Sequence, residues 1–181
     1  MTLTYSLEEE DYLQYLLFVA SHSARIKRQR IRNWLFNSAA LIMLSLLFYI
    51  SKGNLFAAYF LFYGLCILFF YPLYQRSLYK RVYRSVTAES YKNRFGLLET
   101  ISFSENFVET KDIIGESKIN LSAFENIIET GNYFYLKLRT GFHLIIPKSK
   151  IIGSGELRDL LKNICSRLSI QFISELNWKW K

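Results

Sequence analysis

Histidines and reactive motifs are the first place to look for catalytic chemistry in this chain, and they offer little. The two histidines, His22 and His143, fall on different predicted elements. The sequence contains no HExxH, CxxC, Gly-x-Ser-x-Gly or phosphate-loop pattern, the spacings that hold a metal, a redox pair, a nucleophile or a nucleotide. We therefore expect His143 to be a packing residue in a strand. The sequence predicts no catalytic residue, metal site or cofactor, and a protein that is not an enzyme.

One short segment has the residue types of an anion site. The stretch Gly153-Ser154-Gly155-Glu156 precedes a predicted helix, and the backbone amides at a helix N-terminus can hold an anion. Lysines lie shortly before it. The candidate anion site therefore consists of Lys148, Lys150, Ser154 and Gly155. The alternative is that Gly153 or Ser154 simply caps the helix.

The acidic run at residues 8–11 is the other chemical candidate. Ser6 can cap a helix that begins here, with Glu9 three positions later completing a capping box. Acidic residues in a first turn also suit the helix dipole. A solvated helix start explains the run, and a metal or partner site is the alternative.

Two long apolar runs must position everything else. Residues 33–51 and 53–75 carry no charged side chain, and they span about 28 Å and 34 Å as helices. Each can cross a hydrocarbon core about 30 Å thick. Ser51-Lys52-Gly53-Asn54 between them has turn chemistry. We predict a transmembrane hairpin over residues 33–76, with spans at 33–51 and 54–75. A soluble helical pair is the alternative, but the chain has too little other sequence to wrap it.

Basic residues flank both ends of this hairpin, whereas its tip carries only Lys52. Positive residues stay on the cytoplasmic side. The sequence thus predicts a multi-pass membrane protein with both termini in the cytoplasm. The flanking set is Arg25, Lys27, Arg28, Arg30, Arg32, Arg76, Lys80, Arg81 and Arg84.

The net charge of +8 comes largely from these flanks. Residues 95–181 carry eleven basic and ten acidic side chains, so the folded region is nearly neutral. A nucleic-acid-binding domain would place a basic stripe there, and we expect no such partner. The flanking cations face the lipid bilayer instead. Cys66 and Cys165 lie on different elements, so no disulfide is expected.

The remaining sequence predicts an α+β fold. Residues 1–32 read as a strand followed by an amphipathic helix, and residues 77–96 as a basic helix or linker. Over residues 97–176, short β-branched and aromatic runs alternate with turn signals, and a last amphipathic helix follows Pro147.

Leu97, Ile101 and Phe103 fall on one face of a strand, and the pattern predicts one buried face. We expect a small antiparallel barrel or sheet of the pleckstrin-homology type, capped by a C-terminal helix. Several other small α+β folds are the alternative. The tail Asn177–Lys181 is expected to be a flexible terminus or an added edge strand. Its alternating tryptophans and lysines make contact with a membrane surface the alternative.

This order of features resembles the bacterial YcxB-like proteins. The resemblance lies in Glu10-Asp11-Tyr12, in Glu129 followed by Tyr133-Phe134-Tyr135-Leu136, and in Ile146-Pro147-Lys148. It implies residence in the bacterial inner (plasma) membrane and a pleckstrin-homology-like cytosolic domain, and it implies no particular activity. A tryptophan expected before the Glu129 strand is missing, and Leu121 and Phe124 stand there.

These features together predict a membrane-anchored, non-catalytic interaction or regulatory protein. Its partner would be a protein or peptide, bound by strand addition or in an apolar groove. Self-association through the hairpin is also expected to be feasible, because Gly64 and Cys66 permit close helix approach. The alternative is a sensor that responds to a small ligand or a lipid through the segment from Pro147 to Gly155.

Overall fold

The computed structural model describes residues 1–113 and 115–180. Lys181, the last residue of the predicted tail, lies outside the described residues. The chain divides into two compact units. The first unit contains Met1–Tyr15 and Thr87–Lys179, and the second contains Leu16–Val86 with Trp180. Helix α1 (Glu9–His22) begins in the first unit and ends in the second.

The first sheet of the first unit is an antiparallel meander. Its strands lie in the order β1 (Thr2–Ser6), β2 (Leu98–Phe103), β3 (Phe107–Lys111) and β4 (Glu116–Asn120). Side chains alternate across it as period-two strands require. Ile101 and Phe103 are buried, which confirms their predicted shared face. On the other face, the hydroxyl of Thr4 lies 3.2 Å from that of Thr100.

The second sheet has the strand order β7-β6-β5-β8. Its antiparallel part consists of β5 (Phe124–Thr130), β6 (Tyr133–Leu138) and β7 (His143–Pro147). We expected one buried face, and for β6 this is wrong, because residues 133–136 are all buried. Tyr133 reaches Asp11 of α1 on one face, whereas Phe134 lies opposite Glu129, which contacts Arg158 on the other.

Helix α4 (Ser154–Leu168) is followed by β8 (Gln171–Glu175), which pairs with β5 in parallel. This strand was not predicted from the sequence. Buried Leu157, Leu161 and Ile164 form the apolar face of α4. The two sheets share no strand within the described residues, so the α+β class is confirmed but a closed barrel does not form.

The second unit contains a helical hairpin of α2 (Ala24–Ile50) and α3 (Asn54–Ser90). α3 runs through Pro72 without ending. Gly64 allows the close approach expected of it, since a Cβ there would lie 3.1 Å from Ile42 Cγ1. Hydrogen bonds along the hairpin join the two helices. Ser45 Oγ donates to the Ala57 carbonyl at 2.7 Å, and Trp34 Nε1 donates to the Leu68 carbonyl at 3.1 Å.

Both helices are long and apolar enough to cross a membrane. Only 11% of the most apolar window of each helix is buried inside the protein. Leu55 is 81% exposed and Phe36 is 71% exposed. The hairpin therefore presents most of its apolar surface outward.

The end of α2 is a Schellman motif. The Gly53 amide donates to the Phe48 carbonyl at 2.8 Å, and the Lys52 amide donates to the Tyr49 carbonyl at 3.1 Å. The residue of this turn with a positive φ is Lys52, at 61°. Its Cβ makes that conformation costly, because only glycine adopts it freely.

Replacing Lys52 with glycine should therefore stabilise the hairpin by about 1 kcal/mol. Thermal unfolding of the detergent-solubilised full chain measures this difference. Lys52→Ala is the matched control, because it removes the charge and keeps the Cβ, and it should leave stability nearly unchanged. An equal gain in both variants would show that the charge, and not the backbone, is responsible.

Candidate functional site

The Asp11 carboxylate, in the first turn of α1, is almost fully buried in the first unit. Its Oδ1 accepts a hydrogen bond of 2.9 Å from the Tyr133 hydroxyl. Its Oδ2 accepts bonds of 2.8 Å from the Glu8 amide and of 2.8 Å from Lys150 Nζ. Lys150 Nζ also donates to the Ser6 carbonyl at 2.9 Å. The carboxylate thus has partners on both oxygens, as a buried charge requires.

This geometry corrects the expected helix start. α1 begins at Glu9, and Ser6 is the last residue of β1, so Ser6 does not cap the helix. Asp11 instead reaches back to the Glu8 amide, which is the return half of a capping box displaced by two residues. The acidic run is therefore not solvated throughout, since Asp11 points into the unit.

Glu129 is the second buried carboxylate, and it lies on β5. Its Oε1 accepts a bond of 2.7 Å from Lys148 Nζ, and its Oε2 accepts one of 3.0 Å from Arg158 Nε. Lys148 Nζ also lies 4.6 Å from the centre of the Phe134 ring. Because both cations are themselves only partly exposed, these contacts are screened less than surface ion pairs.

The two lysines of the candidate anion site are thus bonded to different carboxylates, and the other two residues of that site lie on another element. Lys148 and Lys150 lie on a 3₁₀ turn (Lys148–Lys150), and each donates to an internal carboxylate. Ser154 and Gly155 are the first two residues of α4. The helix cap is Gly153, in the left-handed conformation at φ 78°, without a side-chain capping bond. The ammonium groups neutralise protein carboxylates in this arrangement.

His143 is placed in β7 beside an aromatic cluster. Its Nδ1 lies 3.3 Å from the Tyr15 hydroxyl, and the Tyr15 ring lies 6.0 Å from that of Tyr135. Burial lowers the pKa of His143, so the neutral ring is favoured. His22 lies in the second unit at the end of α1, with Nδ1 3.0 Å from the Phe18 carbonyl oxygen. In the described part of the chain, no group of three histidine, cysteine or acidic side chains is arranged to hold a metal ion.

Glu99 lies on the inward-facing side of β2, beside Asp112 and Arg94. Burial raises its pKa, and the neighbouring Asp112 raises it further, whereas Arg94 acts in the opposite direction. Burial and the Glu99 charge together raise the pKa of the adjacent Tyr12 to about 12. The Tyr12 ring stacks on Tyr91 at 4.4 Å.

An open groove lies between α4 and the turn after β2, and we call it the α4–β2 groove. Its volume is about 370 Å³. Apolar side chains form its floor and polar ones its rim, with the Arg167 guanidinium donating to the Glu105 carbonyl. The lining residues are Phe103, Ser104, Glu105, Leu160, Asn163, Ile164 and Arg167. The apolar stripe of α4 already contained Leu160 and Ile164, but no sequence signal placed the β2 turn beside them.

The predicted basic flanks lie on α2 and α3 of the second unit. Arg25, Lys27, Arg28, Arg30 and Arg32 are on α2, and Arg76, Lys80, Arg81 and Arg84 are on α3. Arg30 lies over the rings of Tyr79 and Trp180, at 5.5 Å and 5.0 Å from their centres. Trp180 is buried, and its Nε1 donates to the Arg76 carbonyl at 3.1 Å. At Trp180 the tail is packed and does not form a strand, so the expected edge strand is wrong here.

Comparison with protein families adds one finding. Residues 103–165 match the family model described as YcxB-like protein, which confirms the resemblance expected from the sequence. The matched segment extends from the end of β2 to the last turns of α4, so it includes Glu129, Lys148, Lys150 and most of the α4–β2 groove. Comparison with curated proteins and with solved structures gives no match.

Loss of the Asp11 carboxylate should destabilise the first unit. Asp11→Ala leaves the Tyr133 hydroxyl and Lys150 without their acceptor, and removal of one partner of such a buried pair costs about 3 kcal/mol. Chemical unfolding of the detergent-solubilised chain, followed by circular dichroism, measures the change. Glu10→Ala is the control, because Glu10 is exposed and accepts a hydrogen bond from Gln14 at the surface. A similar loss in both variants would contradict a special role for Asp11.

The Glu99 environment predicts a pH-dependent effect. A raised folded-state pKa means that the folded protein favours the neutral Glu99 side chain. The stability that Glu99 contributes is therefore full below about pH 4.5 and is lost as pH rises through the raised pKa. Glu99→Gln should therefore raise the thermal midpoint at pH 7, with the gain vanishing at acidic pH. Glu109→Gln on exposed β3 should show no such gain. A pH-independent gain for Glu99→Gln would contradict the assignment.

Proposed function

We propose that this YcxB-like chain is a membrane-anchored, non-catalytic interaction protein that presents a cytosolic domain to a protein or peptide partner. The α4–β2 groove is the observation that carries the partner-binding part of the proposal. The outward apolar surface of the hairpin supports the membrane anchor. Each part rests on a different unit of the chain.

The membrane anchor follows from the cost of hydrating the hairpin. Leu55, Phe36 and Ile50 are each at least 70% exposed, and other large apolar side chains on both helices are also outward. Each such side chain gains about 1.5–3 kcal/mol when removed from water. A hydrocarbon layer supplies this gain without further protein, and both helices are long enough to cross it.

The charge distribution supports the orientation. The flanking cations lie on the parts of α2 and α3 away from the Lys52 turn, and the positive-inside tendency places them in the cytoplasm. We propose that the protein resides in the bacterial inner membrane as a multi-pass protein with both termini cytoplasmic.

The architecture of the first unit supports the predicted pleckstrin-homology-like fold in part. Two sheets of mainly consecutive antiparallel strands precede a C-terminal helix, as in that class of domain. The added parallel β8 and the separate sheets depart from a simple closed barrel. We propose that this unit is a variant of that architecture, and that it serves as a binding scaffold.

The α4–β2 groove suits an apolar side chain of a bound peptide. Buried Phe103 and Ile164 form its floor, while exposed Glu105, Asn163 and Arg167 can hydrogen-bond a peptide backbone at the rim. This combination of apolar centre and polar rim is typical of recognition surfaces. A partner segment with one large aliphatic or aromatic anchor residue fits this surface.

The groove is favoured over strand addition at the β4 edge. The pairing of β4 with β3 directs the backbone groups of Glu116, Lys118 and Asn120 outward. Charged side chains at an edge discourage pairing with another strand, and Glu116 and Lys118 are both exposed. Self-association through the hairpin is compatible with this proposal.

The interaction module is also favoured over a sensor that uses the segment from Pro147 to Gly155. A sensor there would need Lys148 or Lys150 to exchange an internal carboxylate for a ligand anion. Both ammonium groups already have short bonds to Glu129 and Asp11. Breaking either pair would leave a buried charge without its partner, which is costly.

Site-specific photo-crosslinking in native membranes tests the proposed groove. A crosslinking amino acid at Asn163, on the groove rim, should capture a discrete protein partner. One at exposed Lys162, which lies beside the Phe172 ring of β8 and outside the groove lining, should not. Leu160→Arg places a charge in the groove and should reduce capture at Asn163 roughly tenfold. Leu160 is only half-buried, so an unchanged thermal midpoint separates lost binding from unfolding. Equal capture at Asn163 and Lys162, or capture of lipid alone, would overturn the proposal.

A further inference from the structure

One face of α2 carries an open groove of about 800 Å³ in the second unit, which we call the α2 groove. At one end it is lined by Lys27, Arg28 and Arg32. The rest of its lining is apolar and includes Ile31, Leu35 and Ala39. A single groove therefore joins a cationic end to a hydrocarbon surface.

The cations of this groove are uncommitted. No hydrogen bond or ion pair connects Lys27, Arg28 or Arg32 to any other side chain among residues 1–113 and 115–180. Arg30 on the same helix is different, since it donates to Gln75 and lies over two aromatic rings. Three positive charges at one end of an apolar surface are complementary to an anionic headgroup.

The length of the groove matches one lipid monolayer. From Lys27 to Ala39 the helix rises about 18 Å. One leaflet of a bilayer, with its headgroup region included, is about 20 Å thick. A headgroup at the cationic end would therefore leave an acyl chain alongside Leu35 and Ala39.

The charge pattern also decides between a lipid and a second copy of the chain. Two hairpins inserted with the same orientation, and packed through this face, would bring both sets of Lys27, Arg28 and Arg32 together. Such a contact repels, and the repulsion grows near a low-dielectric medium. A molecule with a negative head and an apolar tail has no such cost.

We propose that the α2 groove binds one anionic phospholipid, with its phosphate at Lys27, Arg28 and Arg32 and an acyl chain along Ile31, Leu35 and Ala39. This inference rests on the membrane residence proposed above. It goes beyond general attraction to an anionic surface, because the equally basic Lys80 and Arg81 on α3 do not line the groove.

Native mass spectrometry of the full chain, released from vesicles of phosphatidylcholine with a minority of phosphatidylglycerol, tests the proposal. The wild-type chain should retain one phosphatidylglycerol in preference to phosphatidylcholine. The double variant Lys27→Gln/Arg28→Gln should lower this preference roughly tenfold. The matched variant Lys80→Gln/Arg81→Gln removes the same charge and should retain the wild-type preference.

A second pair of variants tests the apolar part of the groove. Ala39→Phe fills the surface proposed for the acyl chain and should reduce retention, whereas Ala40→Phe, on the neighbouring residue outside the lining, should not. Added glycerol phosphate should not compete, because it has no acyl chain. Competition by glycerol phosphate would instead show a site for free phosphate and overturn the lipid assignment.

The outcomes separate this inference from the proposed function. A chain that fails to insert into vesicles would overturn the membrane anchor, and this proposal with it. Insertion with equal loss of phosphatidylglycerol in both double variants would overturn the lipid site alone. A dimer without bound lipid, disrupted by Ala39→Phe and not by Ala40→Phe, would identify a second copy as the occupant and would also overturn it.

Discussion

The buried carboxylate of Asp11 holds three distant parts of the first unit together. It accepts from Lys150 in the turn after β7, from Tyr133 at the start of β6, and from the Glu8 amide at the entry to α1. Lys150 adds a bond to the Ser6 carbonyl at the end of β1. A buried charge must be neutralised locally, so separating these elements would leave the Asp11 carboxylate exposed to water or without its partners. This constraint fixes the entry of α1 against both sheets.

Glu129 imposes a second constraint of the same kind. Its contacts with Lys148 and Arg158 connect β5, the turn after β7 and α4. Glu129 therefore pairs with Lys148, and Asp11 pairs with Lys150. The sequence suggested Lys148 and Lys150 as cations for a ligand, whereas in the structure they neutralise internal carboxylates. This pairing supports the proposal that a partner is bound at the α4–β2 groove and not at this turn.

The basic residues of the chain fall into two physical classes. Lys148 and Lys150 have internal partners, whereas Lys27, Arg28 and Arg32 have none in the described part of the chain. Within a folded domain, a cation is stabilised by a nearby carboxylate. On the surface of an apolar hairpin, it is stabilised by water or by lipid phosphate. The same residue type therefore has a structural role in one unit and is proposed to contact lipid in the other.

The amino-acid sequence by itself determined the α+β class and the two long apolar helices, because both depend on composition and on the period of apolar residues. It also determined the shared buried face of Ile101 and Phe103, from strand period, and the close helix approach at Gly64, from side-chain size. Only the tertiary structure decided that β6 is buried on both faces and that β8 pairs with β5 in parallel. The same holds for the packing of Trp180 in its unit and for the pairing of Lys148 with Glu129 and of Lys150 with Asp11. Each of these depends on contacts between residues far apart in the chain. Local pattern does not encode which strand, ring or carboxylate will be the neighbour.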